Sequence, residues 1–191
     1  MPRHLACCSQ RCDLPDPPEP QPSTCRSGEV RSATGSQRET GLLKKWPTNG
    51  PKLVWQANDI GDGYSTPAVA GTQIYLMSNR GMENEFVQAL STDDGKPVWT
   101  ARVGNVGNPK QDPPYPKARS TPTVDGDFVY ALGSDGDLVC LDSKDGKIRC
   151  RKNLQNEFGG QPSEWAYAES PLVDGDVLVV TQAAHRPRWR R

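Results

Sequence analysis

Between residues 64 and 181 the apolar positions come in short runs, IYLM (74–77), FVQAL (86–90), FVYAL (128–132), LVCL (138–141) and VLVV (177–180). Gly, Pro, Asn and Asp punctuate them. No run has the 3.6-residue spacing of a long amphipathic helix. Short β-branched and aromatic runs bounded by DG, GD, NG and TP read as strands of about five residues joined by tight turns. The pattern predicts an all-β protein.

The runs also repeat. YSTPAVAGTQIYLMS (64–78) matches RSTPTVDGDFVYALG (119–133), which matches ESPLVDGDVLVVT (169–181). A second half follows in two copies, EFVQALSTDDGKPVWTARVG (85–104) and DLVCLDSKDGKIRCRKNL (137–154). Pro67, Pro122 and Pro171 are 55 and 49 residues apart, and Gly95 and Gly146 are 51 apart. Each unit therefore holds four strands in up-and-down order. In the second unit they are expected at 120–124, 128–132, 137–142 and 147–152, with hairpin turns at DGD (125–127) and SDG (134–136). The first unit has a longer second connection, NRGMEN (79–84). An isolated four-stranded antiparallel sheet exposes two apolar faces and two edges, and stacking such sheets around an axis buries the faces. Four strands in about 40–50 residues is the repeat of a β-propeller. The DGD triplets could be read as calcium loops. The other oxygen ligands at fixed offsets are missing, so the hairpin reading stands.

These residues resemble the repeat of pyrroloquinoline quinone (PQQ)-like propellers. In that repeat an Ala precedes an Asp- or Thr-containing loop, Gly-Lys follows, and a Trp comes three residues after the Lys. Here the positions are Ala89, Gly95, Lys96 and Trp99, and GPKLVW (50–55) places Trp55 like the end of an earlier copy. The phrases GYSTPAVAG, RSTPTVDGDFVYALGSDGDLVCLDSKDGK and YAESPLVDGD are most similar to an exported branch common in planctomycete-type bacteria, described as polyvinyl-alcohol dehydrogenase-like or quinoprotein-like. The resemblance implies a partial propeller of about two and a half blades in which the Trp packs between neighbouring blades. Cys150 stands where that Trp is expected in the second unit, and loss of a buried Trp typically costs about 3–5 kcal/mol when a cavity remains. The resemblance also implies a longer parent, periplasmic or secreted. On this reading 41–184 are the repeats, 1–40 are a disordered or out-of-frame segment, and 185–191 (HRPRWRR) are a basic tail, either a solvated charged end or out of frame.

Composition refines this picture. Residues 1–40 are rich in Pro, Ser, Arg, Gln and Cys and poor in large aliphatics, too apolar-poor to offset the entropy of ordering. The whole chain of 191 residues has 23 basic and 23 acidic side chains, which gives no electrostatic case for nucleic acid or an anionic membrane. No run approaches the roughly 20 apolar residues of a membrane span, and no secretory signal is visible. His4 with Cys8, Cys12 and Cys25 has no ordinary zinc spacing, and His4 and His185 offer no Ser-His-Asp set.

By resemblance, the quinoprotein dehydrogenases of the family hold PQQ with a calcium ion on the propeller axis, and many carry a vicinal disulfide. Cys7-Cys8 is the only vicinal pair and lies outside the repeats. No catalytic or metal-binding residue can be assigned. Candidate ligand contacts lie on the two long connections between units, 104–120 and 153–170: Arg119, Glu164, Trp165, Tyr167 and Glu169. The plainer reading has Trp165 and Tyr167 covering the adjoining blade and the charges solvated. Cys140 and Cys150 fall on one hairpin, and a bridge between them depends on register. Two functions follow: a scaffold that contacts protein or a small molecule through blade loops, or part of a PQQ-dependent alcohol dehydrogenase.

Overall fold

The computed structural model describes residues 44–110 and 116–181. Ten strands and one short helix alternate with tight turns. The first four-stranded sheet comprises β1 (Ala68–Ala70), β2 (Gln73–Asn79), β3 (Glu85–Ser91) and β4 (Pro97–Gly104), and the second β5 (Thr123–Asp125), β6 (Phe128–Leu132), β7 (Asp137–Asp142) and β8 (Ile148–Asn153). Both are antiparallel meanders. A third unit contributes β9 (Leu172–Asp174) and β10 (Val177–Val179).

The two complete blades match pair for pair. Ala68 faces Tyr75 as Thr123 faces Tyr130; Ala89 faces Trp99 as Cys140 faces Cys150. Both ladders slip at the same place, between Ala89 and Leu90 and between Cys140 and Leu141, and the first blade has one further irregularity, between Glu85 and Phe86. The all-β expectation and the partial propeller of four-stranded blades hold. Two details differ. The innermost strand of the second blade starts only at Thr123, because Ser120 and Thr121 turn their hydrogen bonds to the next unit: Ser120 Oγ donates to the Glu169 carbonyl, and Thr121 N to Ser170 Oγ at 2.9 Å. In addition, α1 (Leu154–Phe158) interrupts the connection after β8. Asn153 Oδ1 caps it by accepting from Gln155 N and Asn156 N, and Gly159 ends it at φ 67°.

The core lies between the blades. The middle strands β2, β3, β6 and β7 are buried along most of their length, whereas β4 and β8 keep outward-facing exposed residues. One buried cluster joins Tyr75, Met77, Val87 and Trp99 of the first blade to Val129, Ala131, Val139 and Leu141 of the second. A smaller one joins Leu132 and Leu138 to Leu154, Tyr167 and Val180. A sheet with two apolar faces must be covered on both, and face-to-face stacking supplies the cover.

Candidate functional site

The seam between blades is built on tryptophan and glycine. Gly146 has φ +71°, which favours Gly, and a Cβ there would lie 2.5 Å from the Trp99 ring. The indole thus lies flat against the turn between β7 and β8. Its Nε1 donates to the Ser143 carbonyl at 2.9 Å, and Tyr75 packs at its side, centroids 5.9 Å apart. Trp55 repeats the arrangement one blade earlier, against Gly95 and with Nε1 donating to the Thr92 carbonyl at 2.8 Å. The packing Trp expected from the sequence is therefore seen twice. Cys150 occupies its place in the second blade, opposite Cys140. Cys140 is a free buried thiol, its pKa pushed up to about 11 chiefly by burial. Cys150 is disulfide-bonded, but not to Cys140, although the register aligns the two.

The long connections between blades meet at one end of the stack. Asn108 Nδ2, from the connection after β4, donates to the Glu164 carbonyl in the connection after β8. Here the Arg119 guanidinium carbon lies 5.1 Å from the Tyr64 ring centroid and 5.6 Å from that of Trp165. Lys117 Nζ is 5.8 Å from the same Tyr64 ring and 3.6 Å from Asp62 Oδ1. Tyr64 and Trp165 remain about half exposed, at 52% and 46%. The structure thus brings Arg119 and Trp165 together. Glu164 joins them only through its backbone. Glu169 is exposed, and its Oε2 accepts from Ala168 N. Tyr167 is buried against Gly136 and Gly160 and covers the second blade. Tyr64 and Lys117 were not anticipated. The repeat itself carried the signal, since Tyr64 precedes Ser-Thr-Pro as Arg119 does.

A second polar arrangement sits inside the first seam. Glu85 opens β3 and is fully buried; its Oε2 accepts from Ser134 N at 2.9 Å and Ser134 Oγ at 2.7 Å, across the blade boundary. Its Oε1 has no partner. Burial raises its pKa to about 7, with further repulsion from Asp137 and Asp135, and the two Ser134 bonds only partly offset this. Arg151 lies beside the same seam, 3.9 Å from Asp137, and donates to the carbonyls of Val103 and Arg102. Ser134 Oγ also accepts from Gly107 N at 2.8 Å, so one hydroxyl ties the turn to the following connection.

Among the described residues no group of three or more His, Cys, Asp or Glu side chains is placed to hold a metal ion. Cys7, Cys8, Cys12, Cys25, His4 and His185 lie outside the described residues, as do all of segment 1–40 and the tail 185–191. No helix among the described residues is long and apolar enough to cross a membrane.

The repeat has relatives. The protein BamB of Salmonella typhimurium, named an outer membrane protein assembly factor, is 31% identical over 127 residues, 65% of this chain and 28% of its own length. That of Moranella endobia is 33% identical over 93 residues, 48% of this chain and 23% of its own length. This chain therefore spans about a quarter of the curated relatives it matches. The crystal structure of BamB from Moraxella catarrhalis superposes with a TM-score of 0.52 over 70% of this chain and 38% of that one, at 16% identity, which speaks to fold alone. The family model described as outer membrane protein assembly factor BamB matches residues 83–188, more than half of the sequence. Two blades that repeat down to the bulge, clamped by tryptophan on glycine, and this match together place the chain in the BamB family of PQQ-like β-propellers.

Proposed function

We propose that residues 41–184 are the repeat portion of a binding propeller that works as a scaffold, with no chemistry of its own, and contacts protein through the end where the connections between blades meet. The carrying observation is the Tyr64–Arg119–Trp165 stack. Tyr, Trp and Arg are the residues most often responsible for interface energy. Here two half-exposed rings hold a guanidinium in place, so little side-chain freedom remains to be lost on docking. The assembly-factor relatives support a partner among proteins that build the outer membrane, and a periplasmic or otherwise exported setting for the parent. Segments 1–40 and 185–191 take no part in this reading.

Site-specific photo-crosslinking tests it. A photoreactive residue at position 165 in the parent protein is expected to capture a component of outer-membrane assembly. One at position 144, in a turn at the opposite end of the blade, is expected to capture none. Arg119→Glu should cut the yield at position 165 by about tenfold, the scale of 1.4 kcal/mol. Equal yields at both positions, or no effect of Arg119→Glu, would overturn the scaffold reading. Alcohol-dependent dye reduction after adding PQQ and calcium, with quinone absorbance retained on the protein, would replace it with a dehydrogenase.

A further inference from the structure

One buried carboxylate ties the end where the connections meet to the interior of the first seam. Glu85 is fully buried, and its Oε1 has no partner. The residue that meets its Oε2, Ser134, has all its polar groups engaged. Its N and Oγ donate to Glu85, its Oγ accepts from Gly107 N at 2.8 Å, and its carbonyl accepts from Tyr167 N at 3.1 Å. Gly107 stands one residue before Asn108, and Tyr167 two after Trp165, so both long connections hang from this one turn. The remaining member of the stack is tied in beside it. Asn79, the register partner of Glu85 on β2, accepts from Ala118 N at 3.1 Å through Oδ1, and the Ala118 carbonyl accepts from Tyr64 N at 2.8 Å. The backbone next to Tyr64, Arg119 and Trp165 is thus anchored around the head of β3.

We infer that Glu85 is a proton-operated latch on this end of the stack: in its neutral form it keeps the Ser134 turn packed and both connections in place, and loss of its proton opens the seam there and releases them. The use of the latch, control of docking, rests on the scaffold reading above; its physics does not. The titratable groups facing Glu85 are Asp135 and Asp137, both acidic. Arg151 of β8 lies 3.9 Å from Asp137 and donates to the carbonyls of Val103 and Arg102. The ladder partners of Glu85 on β2 and β4, Asn79 and Gly104, do not titrate. An ionised Glu85 therefore has two donors, one bare oxygen and two acidic neighbours, and a bare buried charge is costly. The seam leaves no room for a side chain at Gly104 beside Asp137 or at Gly107 beside the Ser134 carbonyl, so water reaches Oε1 by parting the turn from β3. Burial holds the carboxyl at about 7 in the closed seam, against 4.5 when hydrated. The open seam is favoured progressively as pH rises from about 4.5 to about 7, by up to about 300-fold in all, and no further above that.

Amide hydrogen exchange on the full chain across a pH series, corrected for base catalysis, tests the latch. From pH 5 to pH 8 the Gly107 and Tyr167 amides should exchange about 50-fold faster. The Gly95 and Gly146 amides, bonded to the Ser91 and Asp142 carbonyls in turns at the far end of the blades, should keep their rates. Glu85→Gln should hold the Gly107 and Tyr167 amides slow at every pH. Ser134→Ala keeps the carboxyl but removes the hydroxyl, so Gly107 should exchange fast throughout while Tyr167 still responds to pH. Photo-crosslinking at position 165 reads the consequence: its yield should fall over the same pH range in the wild type and stay level in Glu85→Gln. Three outcomes would overturn the latch: no acceleration in the wild type, the same acceleration in Glu85→Gln, or equal acceleration at Gly95 and Gly146, which would mean global unfolding. The expected exchange pattern with no crosslink at any pH would uphold the latch and sink the scaffold reading instead.

Discussion

The two seams of this molecule face the same task with different parts. Between the first and second blades, Trp99 lies on Gly146, Tyr75 packs beside it, and Glu85 reaches across to Ser134. Between the second and third units the corresponding outer-strand position is Cys150. There the junction relies on Tyr167 packed over Gly136, on Leu154 and Val180, and on inner-strand bonds such as Thr123 Oγ1 to the Pro171 carbonyl. Leu178 and Val180 face the second blade, while Leu172 and Val177 lie on the opposite face of β9 and β10, 48% and 39% exposed. One seam carries a tryptophan on its outer strand; the other carries Cys150 at that position and, among the described residues, packs through Tyr167, Leu154 and Val180. Blade adhesion is therefore local, and each seam can be weakened without rebuilding the blades.

The largest expected effect comes from emptying the first seam. Trp99→Ala should destabilise the chain by about 3–5 kcal/mol, the range for deleting a buried aromatic that leaves a cavity. Urea unfolding followed by circular dichroism would measure it. Tyr167→Ala at the second seam should instead release the third unit while the first two blades keep their cooperative transition. A single shared transition lost equally in both variants would show that the seams are not independent.

Next in size is a pH effect confined to the first seam. Folded, Glu85 stays protonated up to about pH 7; unfolded, it ionises near its ordinary value of 4.5. The folded state thus binds the extra proton between these values, and its stability falls as pH rises from about 4.5 to about 7. The fall is about 3 kcal/mol at 1.36 kcal/mol per pH unit. The groups facing Glu85 are the Ser134 amide and hydroxyl, with Asp135 and Asp137 beyond and Arg151 paired to Asp137. Glu85→Gln mimics the neutral acid, so it should flatten the profile and be more stable than the wild type at pH 8. Unfolding midpoints measured from pH 4 to 8 would show a parallel slope in both proteins if Glu85 were not responsible.

This contrast marks what could be read in the sequence. Strand order, the turns at Gly95 and Gly146 and the place of Trp99 were legible because repeated residues in repeated backbone do repeated work. Cys150 was legible as the exception for the same reason. Glu85 was not, since at the head of a strand it looks like a solvated charge, and its burial depends on Ser134, 49 residues away. The Tyr64–Arg119–Trp165 stack was half legible: Arg119 and Trp165 stood on the right connections, but only the fold sets them against Tyr64. The helix at 154–158 had a sequence signal in Asn153 and Gly159, the cap residues at its two ends.

The smallest effect separates the tryptophan contact from the backbone beneath it. Gly126 and Gly146 both have positive φ, +54° and +71°. A Cβ at Gly126 would meet nothing within 4 Å, whereas one at Gly146 would lie 2.5 Å from the Trp99 ring. Gly126→Ala therefore carries only the left-handed backbone cost, about 1 kcal/mol. Gly146→Ala carries that cost and also lifts the indole off its turn, straining the 2.9 Å bond to the Ser143 carbonyl. The difference between the two variants, measured by urea unfolding, isolates the clamp. In a Trp99→Ala background the ring is gone, so the two glycine substitutions should converge to the same cost. If they stay apart there, the turn at Gly146 is demanding for its own reasons, and the tryptophan merely rests on it.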